Sequence, residues 1–239
     1  MLHFRNLSKV FRGNEDRKAI DSVTFDVLDG EVVGFVGLNG AGKTTTIRIA
    51  SGVALPTSGG VLVDGHDIVH DKLEASRQIG WVPEFPNFDM GERALNLMEY
   101  FCGFYRLDTL EAKRRSTYLL ERVGLDRVAE KKLRTFSQGM KKRFSLASAM
   151  ISDPRNYLFD ETLNGLDPEG VQFVRNLIVS LRKANKAVLL SSHILTEVEN
   201  LADRIVLIHN GKIVREIKRE ELGRSSLEQL FFATIKEAA

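Results

Sequence analysis

Short apolar runs alternate with amphipathic stretches along most of the chain, and their two periods separate strand from helix. Residues 2–10 and 23–28 alternate apolar and polar positions, with Val23, Phe25 and Val27 on one face, so both predict half-buried strands. Asp29-Gly30 turns into 32–36, an unbroken apolar run bounded by glycines, which predicts a strand buried on both faces. A helix is expected to open near Lys43 and end by Gly52. Residues 56–60 (Pro-Thr-Ser-Gly-Gly) read as a loop and 61–64 as a further strand.

Beyond Trp81 the period changes. Segment 83–91 reads as a loop with two prolines and two exposed-looking aromatics, Phe85 and Phe88. Ala94, Leu97, Met98, Phe101, Phe104 and Tyr105 then recur at helical spacing, and Leu119, Leu120 and Val123 mark a second helix. From Tyr157 the alternation resumes: strand 157–159, helix 169–183, strand 187–191, helix 195–201 and strand 204–208. A turn at Gly211 leads to a hairpin strand at 212–218. The tail predicts a helix with Leu227, Leu230 and Phe231 on one face and a capping box at Ser225 and Glu228. The expected fold is α/β, one domain with a mostly parallel sheet, an N-terminal antiparallel part and an inserted helical part. Its divisions would be an α/β body at 1–82 plus 153–223, the helical part at 83–152 and a C-terminal helix at 224–239.

Composition changes this picture little. The 239 residues are 43% hydrophobic and 28% charged, which excludes wholesale disorder, and the net charge of +2 gives no reason to expect nucleic acid. One cysteine, Cys102, cannot form an intramolecular disulfide, which fits a reducing cytoplasm. The start lacks the apolar block of a signal peptide, and no apolar run approaches the ~18–20 residues that span a bilayer.

The candidate chemistry sits where strands end. Gly37, Leu38, Asn39, Gly40, Ala41, Gly42, Lys43 and Thr44 fit the phosphate-loop pattern, with Thr45 following, between a predicted buried strand and a predicted helix. Glycines let backbone N–H groups converge on phosphate oxygens at a helix N-terminus, Lys43 would reach the β- and γ-phosphates, and the Thr44 hydroxyl would hold Mg²⁺. The bland alternative is a glycine-rich turn. The run 157–161 ends an apolar strand in Asp160 and Glu161, which suits a strand neighbouring the phosphate-loop strand in a parallel sheet. Asp160 is placed to hold Mg²⁺ through water and Glu161 to polarise an attacking water; alternatively, both acids simply face solvent.

Six motifs in order resemble the ATP-binding subunit of an ABC transporter: GLNGAGKT at 37–44, WVPE at 81–84, FSQGM at 136–140, YLFDE at 157–161, NGLD at 164–167 and SSH at 191–193. The resemblance covers essentially the whole chain. The short helical part and the LEQLF tail are similar to ABC-2-type exporter subunits. The family implies a P-loop core with ATP and Mg²⁺ as cofactors, and roles residue by residue. Phe11 would stack on adenine, although an aromatic there can also be core. Ser137 and Gly139 would close on ATP held by a second ATPase subunit. His193 would bond the γ-phosphate, Asp167 would link the two sites of the dimer, and Glu84 would meet Mg²⁺ and the attacking water.

This chain departs from the family pattern twice. Glu84 stands where glutamine is usual, and Gln138 and Met140 replace a glycine and a glutamine of the signature. Ser137 also reads as the N-cap of a helix running to Ser152, with Lys141, Lys142 and Arg143 crowding its first turns against the helix dipole. An approaching anion would offset that charge; alternatively the side chains extend into solvent or pair with acids elsewhere.

The resemblance implies an ATP hydrolase that powers a separate membrane permease as a head-to-tail dimer. It would lie peripherally on the cytoplasmic face and touch the membrane only through the permease. The permease would meet the loop at 84–89 and the helical part, with Phe85 and Phe88 as anchors unless they pack beneath it. The competing class is a non-transport ABC ATPase acting on ribosomes or DNA. Such relatives carry two cassettes or long coiled coils, which this chain lacks. A nucleotide-binding regulator without turnover is disfavoured by the presence of Glu161 and His193.

Overall fold

The computed structural model describes residues 1–13, 16–222 and 226–238. The chain opens with β1 (Leu2–Phe11), β2 (Arg17–Val27), β3 (Val32–Val36), α1 (Lys43–Ala50), β4 (Ser58–Val63), β5 (His66–Asp67), α2 (Lys72–Arg77) and β6 (Ile79–Val82). Three helices follow, α3 (Ala94–Gly103), α4 (Thr109–Arg122) and α5 (Gln138–Ala149). The remainder is β7 (Asn156–Asp160), α6 (Pro168–Lys183), β8 (Ala187–Ser191), α7 (Leu195–Leu201), β9 (Arg204–His209), β10 (Lys212–Lys218) and α8 (Leu227–Ala238).

Two sheets form. One is antiparallel, in the order β2-β1-β4-β5; the other runs β10-β9-β3-β8-β7-β6, parallel except for the β9–β10 hairpin. The strands β3, β7 and β8 are buried at every residue, as unbroken apolar runs require of a sheet covered on both faces. Alternate residues serve opposite faces. Val32, Val188, Leu190 and Phe159 pack with α4, α5 and α6, whereas Val33, Phe35, Leu158 and Leu189 pack with α1 and the antiparallel sheet. A stack of Phe4 on Phe25 (centroids 4.2 Å) and Phe25 on Phe35 (5.3 Å) joins the two sheets. Each such pair adds about 0.5–1.5 kcal/mol beyond area burial.

The pattern-based elements are found with these differences. β2 begins at Arg17, well before Val23, because β1 pairs along its length and Phe11 faces Arg17. Ser58, Gly59 and Gly60 belong to β4 rather than a loop. Ser58 pairs with Ser8 and Gly60 with Arg5 across a register shift, and Gly59 fits at φ +71° against the Asn6 carbonyl. Phe104 and Tyr105 lie just past the end of α3, and α5 ends at Ala149 instead of Ser152. β7 is not the neighbour of β3, since β8 runs between them. The C-terminal helix packs Leu227 and Phe231 against Val36 and Leu207. Of its expected capping box, Ser225 lies outside the described residues; the Ser226 hydroxyl accepts from the Gln229 N–H (3.3 Å).

Candidate functional site

The phosphate loop leaves β3 with glycines that neighbouring backbone leaves no room to replace. A side chain at Gly37 would sit 2.4 Å from the Ile208 carbonyl, and Gly42, at φ +115°, would meet the Ile20 side chain at 2.6 Å. The loop therefore keeps one shape, with α1 starting directly at Lys43. The loop borders a cavity of about 430 Å³ lined by Phe11, Arg17, Gly40, Thr44, Glu84, Glu161 and His193, among others. Asn39, Gly42, Lys43 and Thr45 line it too; Leu38 does not, being half exposed beside a neighbouring apolar pocket with Phe231 and Phe232, while Ala41 is buried beneath the loop.

Lys43 is buried, and its ammonium donates to the carbonyls of Gly37 (2.7 Å) and Leu38 (3.3 Å) while lying 3.4 Å from Glu161 Oε1. The acids are buried, which excludes the reading that they face solvent. Asp160 Oδ1 accepts from the Thr44 hydroxyl (3.2 Å) and the Ser191 hydroxyl (2.9 Å). The Thr44–Asp160 bond is how β7 reaches the phosphate loop without adjoining β3, and Ser191, on the intervening β8, fixes the Asp160 carboxylate in place. Burial raises the Asp160 carboxyl above the ordinary carboxylate range, with Glu161 pushing the same way against those two hydroxyl bonds.

Glu161 is held from several sides. Its Oε2 accepts from Asn164 Nδ2 (3.0 Å) and from the His193 N–H (3.2 Å), and it lies 3.0 Å from His193 Nδ1. Its own N–H donates to Ser191 Oγ (3.0 Å). Its backbone occupies the left-handed region at φ +46°, a strained conformation for a glutamate of the kind that clusters at functional sites. Glu84 lies across the same cavity, its carboxyl pushed up by burial and by the carboxylates of Glu161 and Asp160.

The residues present suit Mg²⁺. Asp160 and Thr44 offer hard oxygens side by side, and Mg²⁺ takes one or two protein ligands with phosphate and water completing an octahedron.

Three expected site residues lie elsewhere in the single chain. Ser137 caps α5, accepting from the Met140 N–H (3.2 Å), and neither it nor Gly139 lines the cavity. Asp167 is exposed and caps α6, accepting from the Gly170 N–H (2.9 Å) with Pro168 at the first helical position. The basic turns of α5 are not an anion trap at Lys142 and Arg143. Lys142 is buried and donates to the Glu84 carbonyl (2.8 Å), its ammonium disfavoured by burial; Arg143 pairs with Glu169 (3.2 Å) and stacks on Phe173. Phe85 is exposed, but Phe88 packs edge-on against Phe144 (4.9 Å), beneath the helices. Sequence reasoning missed Arg17, Ser191 and Asn164. Arg17 lies ahead of the predicted second strand and reaches the cavity only through its cross-strand pairing with Phe11, which no sequence pattern marked; the other two stand inside quoted motifs.

The fold and the loop define a class first: a P-loop ATPase with helices inserted between two strands of its sheet. The ABC transporter family profile matches residues 20–164, more than half of the chain, and the chain belongs to that family. It is 38% identical over 220 residues to the bacitracin transport ATP-binding protein BcrA of Bacillus licheniformis, covering 90% of this chain and 70% of that one. Against the lantibiotic transport ATP-binding protein SrtF of Streptococcus pyogenes it is 35% identical over 233 residues, covering 97% and 96%. Among solved structures it is similar to an ATP binding subunit of an ABC transporter (29% identity, TM-score 0.88, covering 98% and 99%). It is also similar to a dimeric ATP-binding cassette in a post-hydrolysis state bound to ADP and Pi (26% identity, TM-score 0.84, covering 92% and 99%). The chain is a transport-coupled ATP hydrolase.

Proposed function

We propose that two such subunits clasp two ATP molecules head to tail and drive an ABC-2-type export permease from the cytoplasmic face of a membrane. The observation that carries this reading is the Glu161 carboxylate, fixed between Lys43 and His193 at the phosphate-loop cavity. Lys43 and the loop N–H groups hold the phosphates, and Phe11, exposed at the end of β1, offers its face to adenine. Thr44 and Asp160, with Glu84 nearby, would hold Mg²⁺, which when bound offsets phosphate charge. Glu161 takes a proton from the attacking water, and His193 orients Glu161 while bonding the γ-phosphate. Ser137 and Gly139, remote from the cavity in one chain, complete the site of the second subunit, and Asp167 links the two sites. Relatives whose names refer to bacitracin and lantibiotic transport support peptide-like cargo. None of the described helices is long and apolar enough to cross a membrane.

Glu161→Gln tests the reading. It keeps size and hydrogen bonding but removes most of the basicity, so kcat is expected to fall about 10²-fold or more while ATP affinity holds or rises. ATP-bound dimer should then accumulate, read as scattering mass beside single-turnover hydrolysis. Near-normal turnover without trapped dimer would falsify the role of Glu161.

A further inference from the structure

The phosphate-loop cavity is lined by one arginine and one lysine, Arg17 and Lys43, set against the carboxylates of Glu84 and Glu161. The two cations are in opposite states. The Lys43 ammonium is buried and already engaged, by the Gly37 and Leu38 carbonyls and by Glu161. Arg17 is exposed, and its guanidinium has no hydrogen-bond or ion-pair partner among the described residues. Its neighbour Lys18, by contrast, pairs with Asp21 (2.6 Å).

Two contacts fix where this free charge lies. Arg17 opens β2 opposite Phe11, the last residue of β1, and cross-strand partners of an antiparallel pair share one face of their sheet. The guanidinium also lies over the phosphate loop. A methyl group at Gly40 would sit 3.5 Å from Arg17 Nη2, and beyond the chain neighbours of Gly40 it would meet no other described residue within 4 Å. Lys9 stands over the Phe11 ring at 5.1 Å but does not line the cavity. Arg17 therefore spans from the base-stacking aromatic to the open side of the loop. A guanidinium carries five donors in a planar fork, has no acceptor and keeps its charge, which suits it to pairs of phosphate oxygens. The far end of the triphosphate has its own groups in Lys43, Glu161 and His193; the phosphates nearer the base lie within the span of Arg17.

We infer that Arg17 is a nucleotide-binding residue, its guanidinium clasping oxygens of the α- and β-phosphates above Gly40 while Phe11 beside it takes the adenine. This rests on the reading of the cavity as the ATP site and deepens it by naming a second phosphate cation with a different task. Lys43 must exchange its internal partners for phosphate oxygens when nucleotide enters. Arg17 has no bond within the described residues to give up, so its contact adds to affinity undiminished by such an exchange. Because ADP keeps both phosphates, the contact serves ADP and ATP alike, and adenosine gains nothing from it.

The test is equilibrium binding of ADP, the non-hydrolysable ATP analogue AMP-PNP and adenosine to the full chain, with Arg17 intact or replaced. Calorimetry reads the two nucleotides and saturation-transfer NMR the nucleoside. Arg17→Gln should weaken ADP and AMP-PNP equally, by about tenfold or more, as loss of a charge-assisted contact to phosphate requires. Adenosine affinity should not change. Arg17→Lys keeps the charge but loses the fork, so it should recover part of the affinity. The nucleotide-free variants should melt with the parent chain; if glutamine lowers the melting midpoint, the lysine variant carries the same three-ligand comparison. An equal loss for adenosine would make Arg17 a support for the base and overturn the inference. A loss confined to AMP-PNP would move the contact to the γ-phosphate, and unchanged ADP affinity would leave Arg17 a solvated surface charge; either result overturns it too. A parent chain that binds neither ADP nor AMP-PNP would instead sink the ATP-site reading on which the inference rests.

Discussion

The sheet end that carries the phosphate loop and the three helices between β6 and β7 solve opposite problems. At the sheet end, Lys43, Asp160 and Glu161 are buried and satisfied within one chain, each held by hydroxyls, amides or the opposite charge. The helical segment keeps an apolar core beneath, yet exposes Phe85, Tyr100, Phe104, Leu110 and Tyr118, and the capping Ser137 does not line the cavity. The buried charges of one region are paired before anything binds; the other region is finished only by what docks on it. Chemistry demands preorganised charge, and coupling demands surface. Removing a group from the first should therefore alter nucleotide handling, whereas removing one from the second should alter association.

Lys43→Ala should give the largest effect, loss of MgATP affinity by about 100-fold or more, since a charge-assisted contact to the phosphates disappears. Lys43 is also buried and shares its donors with two carbonyls and Glu161, so the variant should melt lower as well. Nucleotide titration well below its own melting midpoint separates the two effects. Unchanged affinity there would reject the phosphate loop as the ATP site.

A smaller effect tests whether the two regions meet across a dimer. Lys43→Ala and Ser137→Arg chains, each inactive alone, leave one intact composite site per heterodimer. Random mixing should restore roughly a quarter of the wild-type occluded ATP, measured by filter retention. No recovery where heterodimers demonstrably form would mean that each chain works by itself.

Asp160→Asn should lose hydrolysis yet stabilise the nucleotide-free chain. The raised native-state carboxyl means that the native chain holds this proton more tightly than the unfolded chain does, so stability falls as pH climbs through that raised value. The asparagine variant should melt a few degrees higher at neutral pH. The gap should close as pH drops into the ordinary carboxylate range, where wild-type Asp160 is protonated in both states. A variant that melts lower at neutral pH would show that the buried charge is better satisfied than its two hydroxyl bonds suggest.

What was legible in the sequence follows the same division. The phosphate loop, Asp160 and Glu161 are read from contiguous motifs because strand, loop and helix there are consecutive in the chain. The position of β8 between β3 and β7 was not legible, because strand order is set by which apolar faces find each other over long separations. Lys142 and Arg143 misled for a related reason: their partners, the Glu84 carbonyl and Glu169, lie on segments distant in sequence. Periodicity also gives out in an irregular segment, so Phe85 and Phe88 looked alike.

These two aromatics supply the finest test of the comparison, because they are chemically identical and three residues apart. Phe88 lies edge-on to Phe144 at 4.9 Å and near Phe101 at 6.3 Å, partly buried against the apolar cluster that the helices share with the sheet. Its truncation removes those contacts and leaves a cavity. Phe85 is 82% exposed, so its removal takes little apolar surface out of any packed environment. Phe88→Ser should therefore cost about 2–4 kcal/mol of stability, and Phe85→Ser no more than about 0.5 kcal/mol. Urea unfolding of the isolated chains measures both. Permease retention in mild detergent should reverse the asymmetry among folded molecules, with Phe85→Ser losing partner at unchanged stability. If Phe85→Ser keeps its permease while Phe88→Ser neither unfolds earlier nor loses it, the loop belongs to neither the core nor the contact, and the division between a self-sufficient sheet end and a partner-dependent helical face fails at this segment.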